Sequence, residues 1–149
     1  MFTGIITDIG TVISINRDQS GERSEWGDTR MVIESHYDCD TIAIGASIAH
    51  AGACMTVVEK TKTQMGCRYA FDVSDESLEK TTLKSWSVGH KMNLERAMTA
   101  ADELGGHLVS GHVDQVGSLL TKEPLAGSLK LVFSAPPDMM ATIAPKGSI

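Results

Sequence analysis

Met1-Phe2-Thr3-Gly4-Ile5-Ile6-Thr7-Asp8-Ile9-Gly10-Thr11-Val12 opens the chain, and Val109-Ser110-Gly111-His112-Val113-Asp114-Gln115-Val116-Gly117-Ser118-Leu119 repeats its pattern. In both, a hydroxyl residue and a Gly come first, apolar positions follow at the same intervals, and Gly-hydroxyl-apolar closes. A second echo sets Thr41-Ile42-Ala43-Ile44-Gly45-Ala46-Ser47-Ile48 over Thr142-Ile143-Ala144-Pro145-Lys146-Gly147-Ser148-Ile149. Ser110 follows Thr3 by 107 residues, and Thr142 follows Thr41 by 101. The offset changes where the first copy carries the polar insert Asn16–Thr29 and the second only Thr121–Ser128. Insertions are tolerated in surface loops, so a duplicated unit accounts for the change. One complete unit over residues 1–97 is expected, then a linker and the front of a second over residues 98–149. Repeats are whole structural units, so completing the second would take roughly 50 more residues. The natural protein is therefore expected to be longer.

With 42% apolar and 21% charged residues, the composition is that of an ordinary globular protein. The net charge of −6, without a basic cluster, argues against nucleic acid as a partner. No run approaches the ~18 apolar residues of a membrane span, and the N-terminus lacks the features of a secretory signal. A cytoplasmic protein is expected. Cys39, Cys54 and Cys67 are odd in number and irregularly spaced. That argues against a disulfide framework and for a reducing compartment. No CxxC or HxxxH pair suggests a metal. On a strand, the five-residue spacing of His107 and His112 puts them on opposite faces.

Short β-rich stretches read as strands at Gly10–Ile15, Met31–Glu34, Ala46–His50, Met55–Glu59, Arg68–Val73, Lys91–Arg96 and Leu129–Ser134. The insert with Asp18, Ser20, Gly21, Glu22 and Gly27 reads as a hairpin loop, and Ala51-Gly52-Ala53 as a tight turn. Ser74-Asp75-Glu76 caps a short helix to about Thr82. Ala97–Leu104 reads as a connecting helix ended by Gly105-Gly106, and Pro136-Pro137-Asp138 as the start of a helical turn through Met139–Ile143. Many short strands with few helices predict an all-β chain. A small closed antiparallel barrel is the expected form, because closure removes exposed edges.

Few residues stand out chemically. Cys54 has Thr56 on the same strand face, and it reads either as a small buried apolar residue or as a site thiol. His112 stands where the first copy has Ile5. It reads either as a half-exposed strand residue or as a proton carrier. Ser47, echoed by Ser148, is either a functional hydroxyl or a strand-edge residue. Asp72 through Ser77 offers backbone amides at a helix start, which suit a polar ligand edge or serve simply as a cap.

Met1-Phe2-Thr3-Gly4-Ile5-Ile6, Gly45-Ala46-Ser47-Ile48-Ala49-His50, Cys54-Met55-Thr56-Val57 and Gly105-Gly106-His107-Leu108-Val109-Ser110-Gly111-His112-Val113-Asp114 together resemble the riboflavin synthase family of the alpha-subunit type. The resemblance runs from Met1 to Ile149. It implies two six-stranded Greek-key barrels in tandem and a C-terminal helix that assembles a homotrimer. The implied reaction needs no cofactor: two molecules of 6,7-dimethyl-8-ribityllumazine exchange a four-carbon unit to give riboflavin and 5-amino-6-(D-ribitylamino)uracil. Each barrel would hold one lumazine, and the productive site would lie between neighbouring subunits. Proximity and orientation can contribute ~7–11 kcal/mol to such a step, and a His suits the proton transfer.

By the same resemblance, Gly4, Ile5 and Ile6 would lie under the ring in the first pocket, with Cys54, Met55 and Thr56 opposite. Asp72, Val73, Ser74, Asp75, Glu76 and Ser77 would reach the ribityl chain and ring edge. Gly111, His112, Val113 and Lys146 would contact the ligand of the second barrel. Turnover would fall to His112 as proton carrier and to Cys54 with Ser47 as donor-positioning groups, with Phe2 assembling the site. The Ser-x-Thr counterpart expected after Gly147-Ser148-Ile149 is missing from the sequence. The competing expectation is a non-catalytic lumazine- or flavin-binding protein of the same fold.

Overall fold

From Thr29 to Ser35 the side chains alternate between interior and exterior, and Thr29, Met31, Ile33 and Ser35 are buried. The β-strand period of two makes this the inner face of a sheet. In the computed structural model, which describes residues 1–17 and 29–149, this strand is the second of nine among the described residues. The strands are β1 (Asp8–Arg17), β2 (Thr29–Ser35), β3 (Ser47–His50), β4 (Ala53–Thr56), β5 (Glu59–Lys62), β6 (Cys67–Val73), β7 (Lys91–Arg96), β8 (Leu119–Leu125) and β9 (Ser128–Phe133). The insert expected to form a hairpin loop lies almost wholly outside the described residues.

The first seven strands make one antiparallel sheet in the order β4-β3-β7-β1-β2-β6-β5. Met31 pairs with Phe71 and Ile33 with Tyr69, so two rows of large side chains meet on one face. Val12, Met92 and Leu94 join them, and Leu83 and Trp86 close the core from beyond the sheet. Burial of such side chains is the main favourable term in folding. The fold is all-β, as expected, but the expected closed six-stranded barrel is corrected to a seven-stranded half-barrel. One long stretch, Ala53 to Lys62, bends at Val57-Val58 and counts as two strands. Val57 N–H donates to Ala46 at 2.9 Å, whereas Val58 N–H donates to Ala70 at 2.9 Å. The two halves therefore serve opposite ends of the sheet, and no ladder joins β4 to β5.

The strand expected over Met55–Glu59 is split between β4 and β5, and the insert Thr121–Ser128 expected in a surface loop is mostly strand β8; other strand ends move by two residues or fewer. Ser74 caps helix α1 (Asp75–Lys80) through its hydroxyl, which accepts from Ser77 N–H at 3.1 Å. The helix expected over Ala97–Leu104 is absent. Asp102 instead accepts from the Thr99 amide at 2.6 Å and the Thr99 hydroxyl at 2.9 Å, which closes a turn and ends any helix there. The helical turn expected over Met139–Ile143 is a 3₁₀ turn, Met140–Thr142.

The expectation of no disulfide is also overturned, because Cys39 and Cys67 are bonded. They lie 28 residues apart, and only the packing of the 3₁₀ turn Cys39–Thr41 beside β6 brings them together. The Lys60 ammonium donates to the Cys39 and Ile42 carbonyls and holds the same turn. No helix among the described residues is long and apolar enough to cross a membrane.

Beyond residue 97 the chain pairs with Phe2 at Val109 and with Cys54 at Gly111, forms the β8–β9 hairpin, and continues through a 3₁₀ turn at Met140–Thr142. Four of its local features fall at the two sequence offsets from features of the first part. A bulge between Val12 and Ser14 of β1 has a counterpart between Leu119 and Thr121 of β8. The 3₁₀ turn Cys39–Thr41 has a counterpart at Met140–Thr142. Gly4 (φ 83°) corresponds to Gly111 (φ 75°), and Gly45 (φ 86°) to Lys146 (φ 60°). Lys146 is thus a non-Gly residue in the left-handed region, where such residues are uncommon.

His50 is fully buried in the half-barrel. Its Nδ1 lies 3.0 Å from the Ile48 carbonyl and its Nε2 2.9 Å from Tyr69 Oη. A carbonyl only accepts, so Nδ1 carries the proton and the Tyr69 hydroxyl donates to Nε2. Burial pushes the imidazole pKa down from 6.5 to about 3. The folded pKa is therefore depressed, and between these values the unfolded chain binds the extra proton. Stability from this group is complete above pH 6.5 and falls as the pH drops towards 3. By linkage, lowering the pH from 7.5 to 5 should cost about 2 kcal/mol through His50. Urea unfolding of wild type and His50→Gln at both pH values checks this, and the variant should lack that part of the pH dependence.

Candidate functional site

The site begins at the outer edge of β4. Ala53 and Met55 are buried while Cys54 and Thr56 face the other way, as the strand period requires. β3 occupies one edge of β4. The other edge receives the returning chain: Cys54 N–H donates to the Gly111 carbonyl at 2.8 Å. Two-sided pairing hides an edge that would otherwise be open. Cys54 is a free cysteine, half-buried beneath this crossing.

Gly111 is required there twice over. Its φ of +75° is one that only Gly adopts at no cost. A Cβ at this position would stand 2.8 Å from Cys54 Cβ and 2.9 Å from Phe2 Cε2. Phe2 itself is 1% exposed, and its backbone forms an antiparallel bridge with Val109: Phe2 N–H donates to Val109 at 2.8 Å and Val109 N–H to Phe2 at 3.0 Å. The Thr3 carbonyl accepts from His107 N–H at 2.9 Å. The N-terminal stretch and its echo therefore lie side by side.

Two cavities flank this crossing. The smaller, about 280 Å³, is lined by Cys54, Met55, Glu76, Ser77, Gly111 and His112. The larger, about 750 Å³, is lined by Phe2, Gly4, Ile6, His112, Ser148 and Ile149 among others. Both lie in the range of small-molecule sites or close to it. His112 stands in the wall common to both, and its N–H donates to Ser110 Oγ at 3.2 Å.

The grouping differs from the one the sequence implied. Cys54 and Met55 are brought together with Glu76 and Ser77, as expected, but their third wall is Gly111, His112 and Val113. Gly4 and Ile6 line the larger cavity instead, and Ile5 is exposed on another surface. The antiparallel bridge at Phe2 and Val109 sets residues 109–113 against β4, where they take the place expected for Gly4 and Ile6. Thr56 and Ser47 are paired across β3 and β4 and lie outside both cavities. Asp72 points outward beside the Arg30 guanidinium at 3.8 Å, Val73 is in the core, and Ser74 and Asp75 form the start of α1. Lys146 is exposed and lines neither cavity. Lys80 and Thr81 also line the smaller cavity but were missed in the sequence. They stand four residues beyond Glu76 and Ser77, Lys80 as the last residue of α1 and Thr81 directly after it, so helical spacing could have found Lys80.

The lumazine binding domain family matches residues 3–97. Riboflavin synthase of Brucella abortus (strain 2308) is 40% identical over 151 residues, covering 100% of this chain and 71% of that protein. Riboflavin synthase of Bacillus subtilis (strain 168) is 35% identical over 149 residues, covering 100% of this chain and 64% of that protein. That of Photobacterium leiognathi is 34% identical, again with 64% of its length covered. The chain thus spans between 64% and 71% of these three relatives. Among solved structures, LumP complexed with riboflavin superimposes with a TM-score of 0.73 at 23% identity, over 96% of this chain and 72% of that one. LumP complexed with 6,7-dimethyl-8-(1'-D-ribityl) lumazine does so with a TM-score of 0.70 at 23% identity, over 96% and 71%. At that identity the likeness establishes the fold. With relatives this similar along its whole length, the chain belongs to the riboflavin synthase family and carries its lumazine binding domain.

Proposed function

We propose that this chain supplies the lumazine-binding and catalytic surfaces of a riboflavin synthase, which converts two molecules of 6,7-dimethyl-8-ribityllumazine into riboflavin and 5-amino-6-(D-ribitylamino)uracil. The observation that carries this reading is the Cys54 cavity roofed by Gly111, His112 and Val113. Gly111 lets the returning backbone come within hydrogen-bond distance of Cys54, and a flat heteroaromatic ring is proposed to lie beside that contact, in the cavity between β4, α1 and residues 111–114. Glu76, Ser77 and Lys80 at the cavity mouth suit the hydroxyls of a ribityl chain. His112 is the group proposed to move the proton of the 7-methyl group, since it lines both cavities. Cys54 is proposed to position the ring of the donor.

The reaction needs two copies of one substrate face to face, and a duplicated unit supplies two related pockets. A division into a first unit over residues 1–97 and a second beginning after residue 98 is part of this proposal. The matched bulges, 3₁₀ turns and left-handed residues at offsets of 107 and 101 support it. So does the match of the lumazine binding domain to residues 3–97. A homotrimer with sites between subunits is the assembly proposed for the whole protein, in the cytoplasm. The alternative, a binder without turnover, is supported by the fold likeness to LumP bound to lumazine and to riboflavin.

Adding 6,7-dimethyl-8-ribityllumazine and following riboflavin absorbance separates the two. Growth of the riboflavin band supports the synthase, and stable lumazine fluorescence without conversion supports the binder. His112→Ala should lower kcat by about 10²-fold or more, the usual contribution of a general acid or base. Turnover near wild type in His112→Ala or in Cys54→Ala would remove that residue from the mechanism.

Gly111→Ala tests the crossing. The left-handed φ and the 2.8 Å approach to Cys54 Cβ leave no place for a methyl group. Strain of this kind costs about 1–3 kcal/mol. Lumazine affinity measured by fluorescence titration should fall by roughly tenfold or more, with the melting temperature of the half-barrel little changed.

A further inference from the structure

Glu95 stands on β7 directly after Leu94, and the two side chains leave the sheet on opposite faces. Leu94 fills the core at 0% exposure. Glu95 faces outward, where a carboxylate is ordinarily solvated, yet it is only 6% exposed. What covers it is the N-terminal stretch. Glu95 Oε1 accepts from the Thr3 amide at 2.6 Å and the Thr3 hydroxyl at 2.7 Å, and Oε2 accepts from the Gly4 amide at 3.0 Å. Three donors on one carboxylate satisfy the hydrogen-bonding demand of a buried charge. No cation forms a salt bridge with Glu95 among the described residues, so the backbone and hydroxyl of residues 3 and 4 are its partners.

The consequences run along the chain in both directions from Thr3. One residue earlier, Phe2 bridges Val109; at Thr3 itself, the carbonyl accepts from His107. Those two links fix the height of the returning segment, and two residues past Val109 the Gly111 carbonyl meets Cys54 N–H. Gly106 packs against the same anchor, since a Cβ there would lie 2.4 Å from the Thr3 carbonyl oxygen. The route is contiguous: Glu95, Thr3 and Phe2, Val109, Gly111 and His112.

We infer that Glu95 is a positioning residue which, by clamping Thr3 and Gly4 onto β7, sets His112 over the Cys54 cavity. It lines the larger cavity beside Phe2 and Gly4 but not the Cys54 cavity, and it acts on the Cys54 cavity through the N-terminal stretch. The inference deepens the proposed synthase reading and rests on it for its catalytic consequence, but its structural half can be read independently.

The test uses Glu95→Gln. The amide keeps one acceptor oxygen for Thr3 but turns an NH₂ donor towards the Gly4 N–H, so the clamp is half lost. The first readout is the rate at which the Cys54 thiol reacts with 5,5'-dithiobis(2-nitrobenzoate) in native buffer, with Cys39 and Cys67 buried in their disulfide. Loosening the returning segment should raise that rate by about tenfold, the equivalent of one lost charged hydrogen bond. The second readout is riboflavin formation, in which kcat should fall while KM changes little. Thr3→Val removes a single donor and should move both readouts less, in the same direction, while Thr3→Ser should restore them. If Glu95→Gln melts too low to assay, Thr3→Val carries the test alone. An unchanged thiol rate in whichever variant stays folded overturns the inference. A raised thiol rate in a protein whose wild type makes no riboflavin upholds the clamp and sinks the synthase reading instead.

Discussion

A two-residue antiparallel bridge between Phe2 and Val109 is the constraint on which the site depends. The half-barrel has its own core and its own ladders, and it would keep its interior without that bridge. The cavities would not persist. Each has one wall from the sheet and another from residues 109 to 113, and those residues bury almost nothing of their own. They are held by backbone hydrogen bonds to Phe2, Thr3 and Cys54 and by the absence of a side chain at Gly111. Such an arrangement has few apolar contacts and many directional ones. Local geometry at single residues therefore matters more there than volume does in the core.

The half-barrel solves a second problem, that of a small sheet with open ends. Bending the Ala53–Lys62 stretch at Val57-Val58 lets one run of chain serve both ends of the sheet. The Cys39–Cys67 bond and Lys60 fix the neighbouring 3₁₀ turn to β6 and β5. The outer edge of β4 is left for the returning segment, and there the Cys54 cavity forms. A binding site at a sheet edge is economical in physical terms, because unpaired amides and carbonyls are already present to receive a strand.

Much of the architecture was legible in the residues. Met31–Glu34 and Arg68–Val73 were legible as strands from their β-branched and aromatic residues, and Tyr69 and Phe71 fall on one face because side chains on a strand alternate. Ser74-Asp75-Glu76 marked the start of α1 because a hydroxyl accepting from an amide three residues on is a local event. Gly4 and Gly111, aligned in the sequence, both have left-handed φ, a conformation that favours Gly locally. The reading failed where local signals competed with longer-range ones. Ala97–Leu104 has helical composition, but the Asp102 carboxylate captured the Thr99 amide. Cys39 and Cys67 gave no spacing signal, because their meeting depends on the docking of a turn against a strand.

By itself, the sequence determined the all-β class, most of the strands, the cap of α1, and the membership of Cys54, Gly111 and His112 in a shared motif set. These follow from interactions within a few residues or from simple periodicity. Only the tertiary structure decided which of those residues share a cavity. The pairing of Cys54 with Gly111 to Val113, the departure of Gly4 and Ile6 to the opposite cavity, and the burial of Glu95 all arise from one crossing between segments more than 100 residues apart. Nothing local encodes a crossing, because its hydrogen bonds form only after both strands have been placed by the core beneath them.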